Sequence, residues 1–108
     1  MRKRIIKPQF WDSERVAAME LGARLTFIGL WQMADRGGHL RYNLKRISTQ
    51  LYPYDDEWPV GEWIDQMVEQ GLVVIWQCAR TGHAVLTIKG FAEHQSIHAN
   101  EAESIYET

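Results

Sequence analysis

The chain has 108 residues, 45% hydrophobic and 24% charged, with a formal net charge of −2. That length suits one domain burying roughly 65% of its unfolded surface, and the composition excludes a disordered chain, a collagen-like repeat and a disulfide scaffold. No apolar run approaches the ~20 residues of a membrane span, and the single Cys78 has no intramolecular partner, which fits a soluble protein of a reducing cytoplasm.

Residues 1–8 carry Arg2, Lys3, Arg4 and Lys7 and read as a basic N-terminal arm. The arm begins like a signal peptide, but Lys7 and Pro8 stand where an apolar core would follow, so no targeting segment is read. A weak helix comes next. Asp12 or Ser13 is placed to cap its first turn, and Val16, Ala17 and Met19 are its apolar residues before Gly22.

Residues 23–34 form the first strong periodic segment, with Leu25, Phe27, Ile28, Leu30 and Trp31 covering more than half the circumference. That width predicts a central helix packed on two sides, stopped at Gly37-Gly38. Residues 39–42 are too few for a helix and read as a short strand. Asn43 then caps a helix over residues 44–51, with Leu44, Ile47 and Leu51 on one face, and Pro53 ends it. After an acidic turn, another helix runs from Pro59 or Val60 to Gln70. It turns Val60, Trp63, Ile64, Met67 and Val68 inward and stops at Gly71.

The period then becomes extended. Residues 72–78 and 84–88 are rich in β-branched and aromatic side chains, and a turn containing Gly82 separates them, which predicts an antiparallel hairpin. Phe91-Ala92-Glu93-His94-Gln95 leaves the sheet, and residues 98–108 read as an acidic tail, frayed or loosely docked. Helices, a short strand, a helix-turn-helix and a hairpin make an α+β winged helix-turn-helix, placed here at residues 9–97. The short strand would complete a three-stranded sheet with the hairpin.

Several stretches carry a resemblance. They are Lys7-Pro8-Gln9-Phe10-Trp11, Ala23-Arg24-Leu25-Thr26-Phe27-Ile28-Gly29-Leu30-Trp31 and Ala34-Asp35-Arg36-Gly37-Gly38, followed by Lys45-Arg46-Ile47, Tyr52-Pro53-Tyr54-Asp55-Asp56 and Phe91-Ala92-Glu93-His94-Gln95. In this order, over residues 5–97, the chain resembles the N-terminal winged-helix domain of DnaD-like phage replication-initiation proteins, the replisome organisers of phages and prophages. The resemblance implies a role in assembling proteins on origin DNA, through DNA contact, self-association or both. Members of that family usually continue into a linker and a C-terminal helical region. This sequence ends at Thr108, which leaves the initiator role open between one module of a longer protein and a stand-alone domain.

The net charge conceals a division. Residues 1–50 hold ten Lys/Arg against four Asp/Glu, a balance of +6, and residues 51–108 hold two against ten, a balance of −8. In a helix-turn-helix the second helix normally enters the major groove. Here its outward positions are Glu62, Asp65, Gln66, Glu69 and Gln70, which neutralise no phosphate. Contact with double-stranded DNA is therefore assigned to the arm (Arg2, Lys3, Arg4, Lys7) and to Arg41, Lys45 and Arg46 around the preceding helix. Ser48, Thr49 and Gln50 lie on the same side, and Arg80 and His83 sit at the wing tip. The alternative is that these charges are merely solvated. Glu62, Asp65 and Glu69, with Trp11 and Trp58, are candidates for a protein interface, which opposite patches on one protomer would favour as self-association.

Catalysis finds little support. His94 and His98 have the spacing of two metal ligands but lack a third, Cys78 reads as an inert buried thiol, and Gly37-Gly38 is a helix stop rather than a phosphate loop. The expectation is a non-enzymatic, cofactor-free and metal-free phage or prophage DNA-binding module in the cytoplasm of a bacterial host. The alternatives are a protein-interaction or oligomerisation module engaging replication-machinery proteins, or a small phage regulator or host-inhibitory protein.

Overall fold

The structure, a computed structural model, describes residues 1–97 and 99–106, which form six helices and three strands in a mixed α+β arrangement. Two single turns open the chain, α1 (Gln9–Asp12) and α2 (Glu14–Ala17). Ser13 separates them because it is extended, and its hydroxyl accepts from the Val16 N–H at 3.3 Å, so one residue both ends α1 and caps α2.

Helix α3 (Leu21–Met33) is the spine and buries Ala23, Thr26, Phe27, Leu30 and Trp31. It packs on one broad side only: Leu21 and Leu25 are 75% and 59% exposed. The wide apolar stripe therefore overstated its burial, because apolar positions on a helix fill a core only where another element lies across from them. Its Gly22 lets the Trp63 ring approach so closely that a Cβ there would lie 2.2 Å from Cζ2.

Strand β1 (His39–Arg41), α4 (Leu44–Leu51), α5 (Val60–Glu69), β2 (Val73–Gln77), β3 (Ala84–Ile88) and α6 (Phe91–His94) follow. The strands form an antiparallel sheet in the order β1-β3-β2. Side chains alternate across it, so the row Leu40–Leu86–Ile75 faces the helices. The rows Arg41–Val85–Trp76 and His39–Thr87–Val74 face outward. Helices α4 and α5 complete the core with Ile47, Val60, Trp63, Ile64 and Met67. Val68, expected inward, is 42% exposed at the edge of the α5 stripe.

The N-terminal end departs from expectation. Residues 1–8 do not project as an arm: the Arg2 N–H donates to the Gln32 carbonyl at 2.9 Å, and the buried Gln95 amide makes paired hydrogen bonds with the Ile5 backbone at 2.9 and 3.0 Å. Of the two readings of the tail, frayed or docked, residues 99–106 follow the docked one. Tyr106 is 6% exposed and packs with Cys78, Val85 and half-buried Trp76 in a second small cluster on the outer face of the sheet. Among the described residues no helix is long and apolar enough to cross a membrane.

Candidate nucleic-acid interface

Helix α4 is positioned by its own sequence. The Asn43 side chain accepts from the Arg46 N–H at 3.1 Å and so caps the first turn, while Ile47 is fully buried. With that face committed, Lys45, Arg46, Thr49 and Gln50 are exposed and Ser48 is half-buried. They turn to two sides. Arg46 and Gln50 line a cleft of about 280 Å³ with Arg2, Arg41, Asp35 and Glu103. Lys45, Ser48 and Thr49 line a wider groove with Tyr52, Tyr54, Asp55 and Asp56. Among the described residues Arg41, Lys45 and Arg46 enter no ion pair, with Asp35 and Glu103 in the cleft of Arg41 and Arg46 and Asp55 and Asp56 in the groove of Lys45.

The remaining basic candidates do not all join them. Arg4 is withdrawn from any ligand, contrary to its assignment as a phosphate contact, because its side chain is only 3% exposed. Its guanidinium donates to the Trp31 and Ala34 carbonyls, both at 3.0 Å, and to both oxygens of Glu101 at 2.7 and 3.1 Å. It also lies 4.9 Å from the centre of the Phe91 ring. Lys7 faces a different, apolar groove lined by Phe10, Phe27, Trp31 and Phe91, and its ammonium donates to the Glu93 carbonyl at 3.0 Å. Lys3 is exposed. Arg2 reaches the cleft while pairing with Glu101 at 2.9 Å.

At the hairpin turn, Arg80 donates to the Ile105 carbonyl at 2.5 Å, and His83 Nδ1 is 2.8 Å from the Tyr106 hydroxyl. Tyr106 also lines the α4 cleft, so it links the turn to Arg41 and Arg46. Burial pushes its hydroxyl up, against the pull of these two arginines. Sequence reasoning missed Tyr106, the pairing of Glu101 with Arg4, and Arg36, whose guanidinium donates to the Glu101 carbonyl at 3.3 Å. The only trace in the sequence was the Ile105-Tyr106 pair inside a polar tail.

The acidic and aromatic candidates sit as follows. Glu62, Asp65 and Glu69 are exposed along α5, and Gln66 between them is tied to Glu20 at 2.5 and 2.9 Å. Burial, then the nearby Asp65 carboxylate, raises the Tyr42 hydroxyl above its usual range. Trp11 is 71% exposed, edge-on to Phe10, whereas Trp58 is 47% exposed and stacks on the buried Trp63 at 6.1 Å. Cys78 is buried, and hydrogen bonds with Thr81 hold its thiol below the usual range. The spacing of His94 and His98, set aside above for want of a third ligand, includes His98, which lies outside the described residues; among the described residues no three His, Cys, Asp or Glu are gathered to hold a metal ion. Comparison with family models, curated proteins and solved structures returned no match.

Proposed function

We propose that this chain is a winged helix-turn-helix module, similar to that of DnaD-like phage replication-initiation proteins, that binds duplex DNA mainly through its phosphates. The order α3, β1, α4, α5 and then the β2–β3 hairpin, with β3 central in the sheet, supports the fold reading. The observation that carries the binding reading is the group Arg41, Lys45 and Arg46, exposed on β1 and α4 and in no ion pair among the described residues. Phosphate contacts supply most of the sequence-independent affinity for DNA. The exposed Thr49 and Gln50 add neutral donors beside these cations.

Helix α5 would be the groove-reading helix of such a fold. Its Glu62, Asp65 and Glu69 repel a polyanion, so contact runs along the α4 side and reads few bases. Such a module would act in the cytoplasm of a bacterial host, contributing backbone contact while other segments or proteins supply site recognition. The test is the double substitution Lys45→Glu with Arg46→Glu. It is expected to weaken micromolar duplex binding at low salt by more than about tenfold, because it replaces two phosphate contacts with repulsion, and to leave the thermal transition in place. Binding that survives the substitution, or wild-type protein that binds no duplex, overturns the proposal.

A second reading rests on Leu21, Leu25 and Trp58, whose exposed apolar surface suits a protein interface. It predicts concentration-dependent self-association or capture of a replication protein, and a strict monomer with no such partner contradicts it.

A further inference from the structure

We infer that the apolar groove beside Lys7 is a binding site for a small organic acid, with a single-ring apolar body and one carboxylate. This site goes beyond the DNA-binding reading and uses none of the residues on which that reading rests.

The groove lies between the N-terminal segment, α3, the end of β3 and α6. Its floor is the buried Phe27 and Trp31, one turn apart on α3, and the buried Phe91 that opens α6. Half-buried Phe10 makes a wall, edge-on to Trp31 with ring centres 5.5 Å apart. The groove opens at the surface and has a volume of about 280 Å³, at the small end for a ligand pocket. The wall is fastened in place. The Gln95 amide makes paired hydrogen bonds with the Ile5 backbone, and the Lys7 ammonium donates to the Glu93 carbonyl. Such a site is formed before any ligand arrives, and ring edges and faces on several sides suit an aromatic body.

The rim carries charge of one sign. Lys7 and Lys89 line the groove, and among the described residues no Asp or Glu does. The clefts beside α4 differ, since each mixes its cations with two carboxylates. Lys7 spends one ammonium donor on a neutral carbonyl and keeps the others. Lys89 is exposed and enters no ion pair among the described residues. The Glu93 carboxylate sits beside Gly90, outside the lining. A carboxylate at the mouth therefore gains charge-assisted hydrogen bonds from the lysines while its apolar body displaces water from the rings. A neutral ligand of the same shape gains only the second part, and a cation is repelled.

The test uses the full chain at low salt with phenylbutyrate, and with phenylbutanol and phenylbutylamine as its neutral and cationic counterparts, followed by amide and indole chemical shifts. Phenylbutyrate is expected to bind saturably at submillimolar concentration, with the shifts centred on Phe10, Trp31 and Phe91. The alcohol is expected to bind about tenfold more weakly, the difference between a charge-assisted and a neutral contact, and the amine not to saturate. Lys89→Glu is expected to weaken the acid about tenfold while leaving the alcohol unchanged, and Lys89→Ala to weaken the acid about threefold. Lys45→Glu with Arg46→Glu is expected to leave acid binding unchanged. Equal binding of acid and alcohol, wild-type affinity for the acid in both Lys89 variants, shifts centred on the α4 cleft, or no saturable binding of the acid at millimolar concentration each overturns the site. A chain that binds the acid but no duplex keeps this site and loses the DNA reading, whereas one that binds duplex but not the acid loses this site alone.

Discussion

Replacing Arg4 by Met tests most sharply how the chain ends are held. The guanidinium has a side chain 3% exposed against a Glu101 side chain 8% exposed, and it makes four hydrogen bonds of 2.7–3.1 Å. Removing one partner of a buried ion pair costs about 3–5 kcal/mol, because the other charge stays desolvated. Arg2 still reaches Glu101 at 2.9 Å and the Ala34 carbonyl at 3.1 Å, which argues for the lower end, about 3 kcal/mol. With an unfolding entropy of about 2.1 cal/mol/K per residue, the chain's 108 residues give roughly 0.23 kcal/mol/K, so the transition falls by roughly 13 °C. Thermal melts followed by far-ultraviolet circular dichroism at neutral pH measure it. Lys3→Met, at an exposed neighbouring position, is the control and is expected to shift stability by less than about 0.5 kcal/mol. The double variant Arg4→Met with Glu101→Leu is expected to recover part of the loss, since no charge is then stranded. An Arg4→Met transition within about 3 °C of wild type refutes the buried pair, as that corresponds to well under 1 kcal/mol.

Acid offers a second handle on the same contact. The Arg4 hydrogen bonds, with the charges of Arg4, Arg2 and Arg36 adding, hold the Glu101 carboxyl below its usual value of about 4.3. Its stabilisation is therefore complete above that value and is lost as pH falls through the lower folded value. Urea denaturation at stepped pH is expected to show the gap between wild type and Glu101→Gln closing in acid; a gap constant with pH contradicts it. Gly22→Ala is expected to destabilise by about 1–3 kcal/mol, the range for overpacking, because the added Cβ lies 2.2 Å from the buried Trp63 ring. An unchanged denaturation midpoint would show that the ring does not rest on this glycine. Thr26→Val strands the Tyr52 hydroxyl that Thr26 meets at 2.7 Å and is expected to cost about 1 kcal/mol by the same assay.

The middle of the chain was legible because its signals are local. Asn43 three residues before Arg46, with Leu44, Ile47 and Leu51 at helical spacing and Pro53 beyond, defines α4, and the structure has that helix and that cap. The hairpin was equally readable from two β-rich runs around Gly82. Leu25 and Val68 were misplaced because periodicity shows which side of a helix is apolar, not how far neighbouring elements extend over it. The ends could not be read. Arg4 and Glu101 are separated by 97 positions, and each looks locally like a solvated charge. The same pairing alters the candidate site: it removes Arg4 from the basic surface and places Glu101 and Tyr106 beside the cations that remain. Which side of α4 each cation takes also depended on tertiary packing, with Arg46 turning toward Arg2 and Arg41 while Lys45 turns toward Asp55 and Asp56.

The most direct measurement of phosphate binding is the salt dependence of duplex affinity. A module that neutralises about three phosphates through Arg41, Lys45 and Arg46 gives log affinity falling against log salt with a slope near −2.7, at about 0.9 per phosphate. Lys45→Glu with Arg46→Glu is expected to flatten that slope by about 2, whatever the sequence of the duplex. A wild-type slope near zero, or an equal slope in the double variant, would place the binding surface elsewhere and contradict the assignment of α4 to DNA.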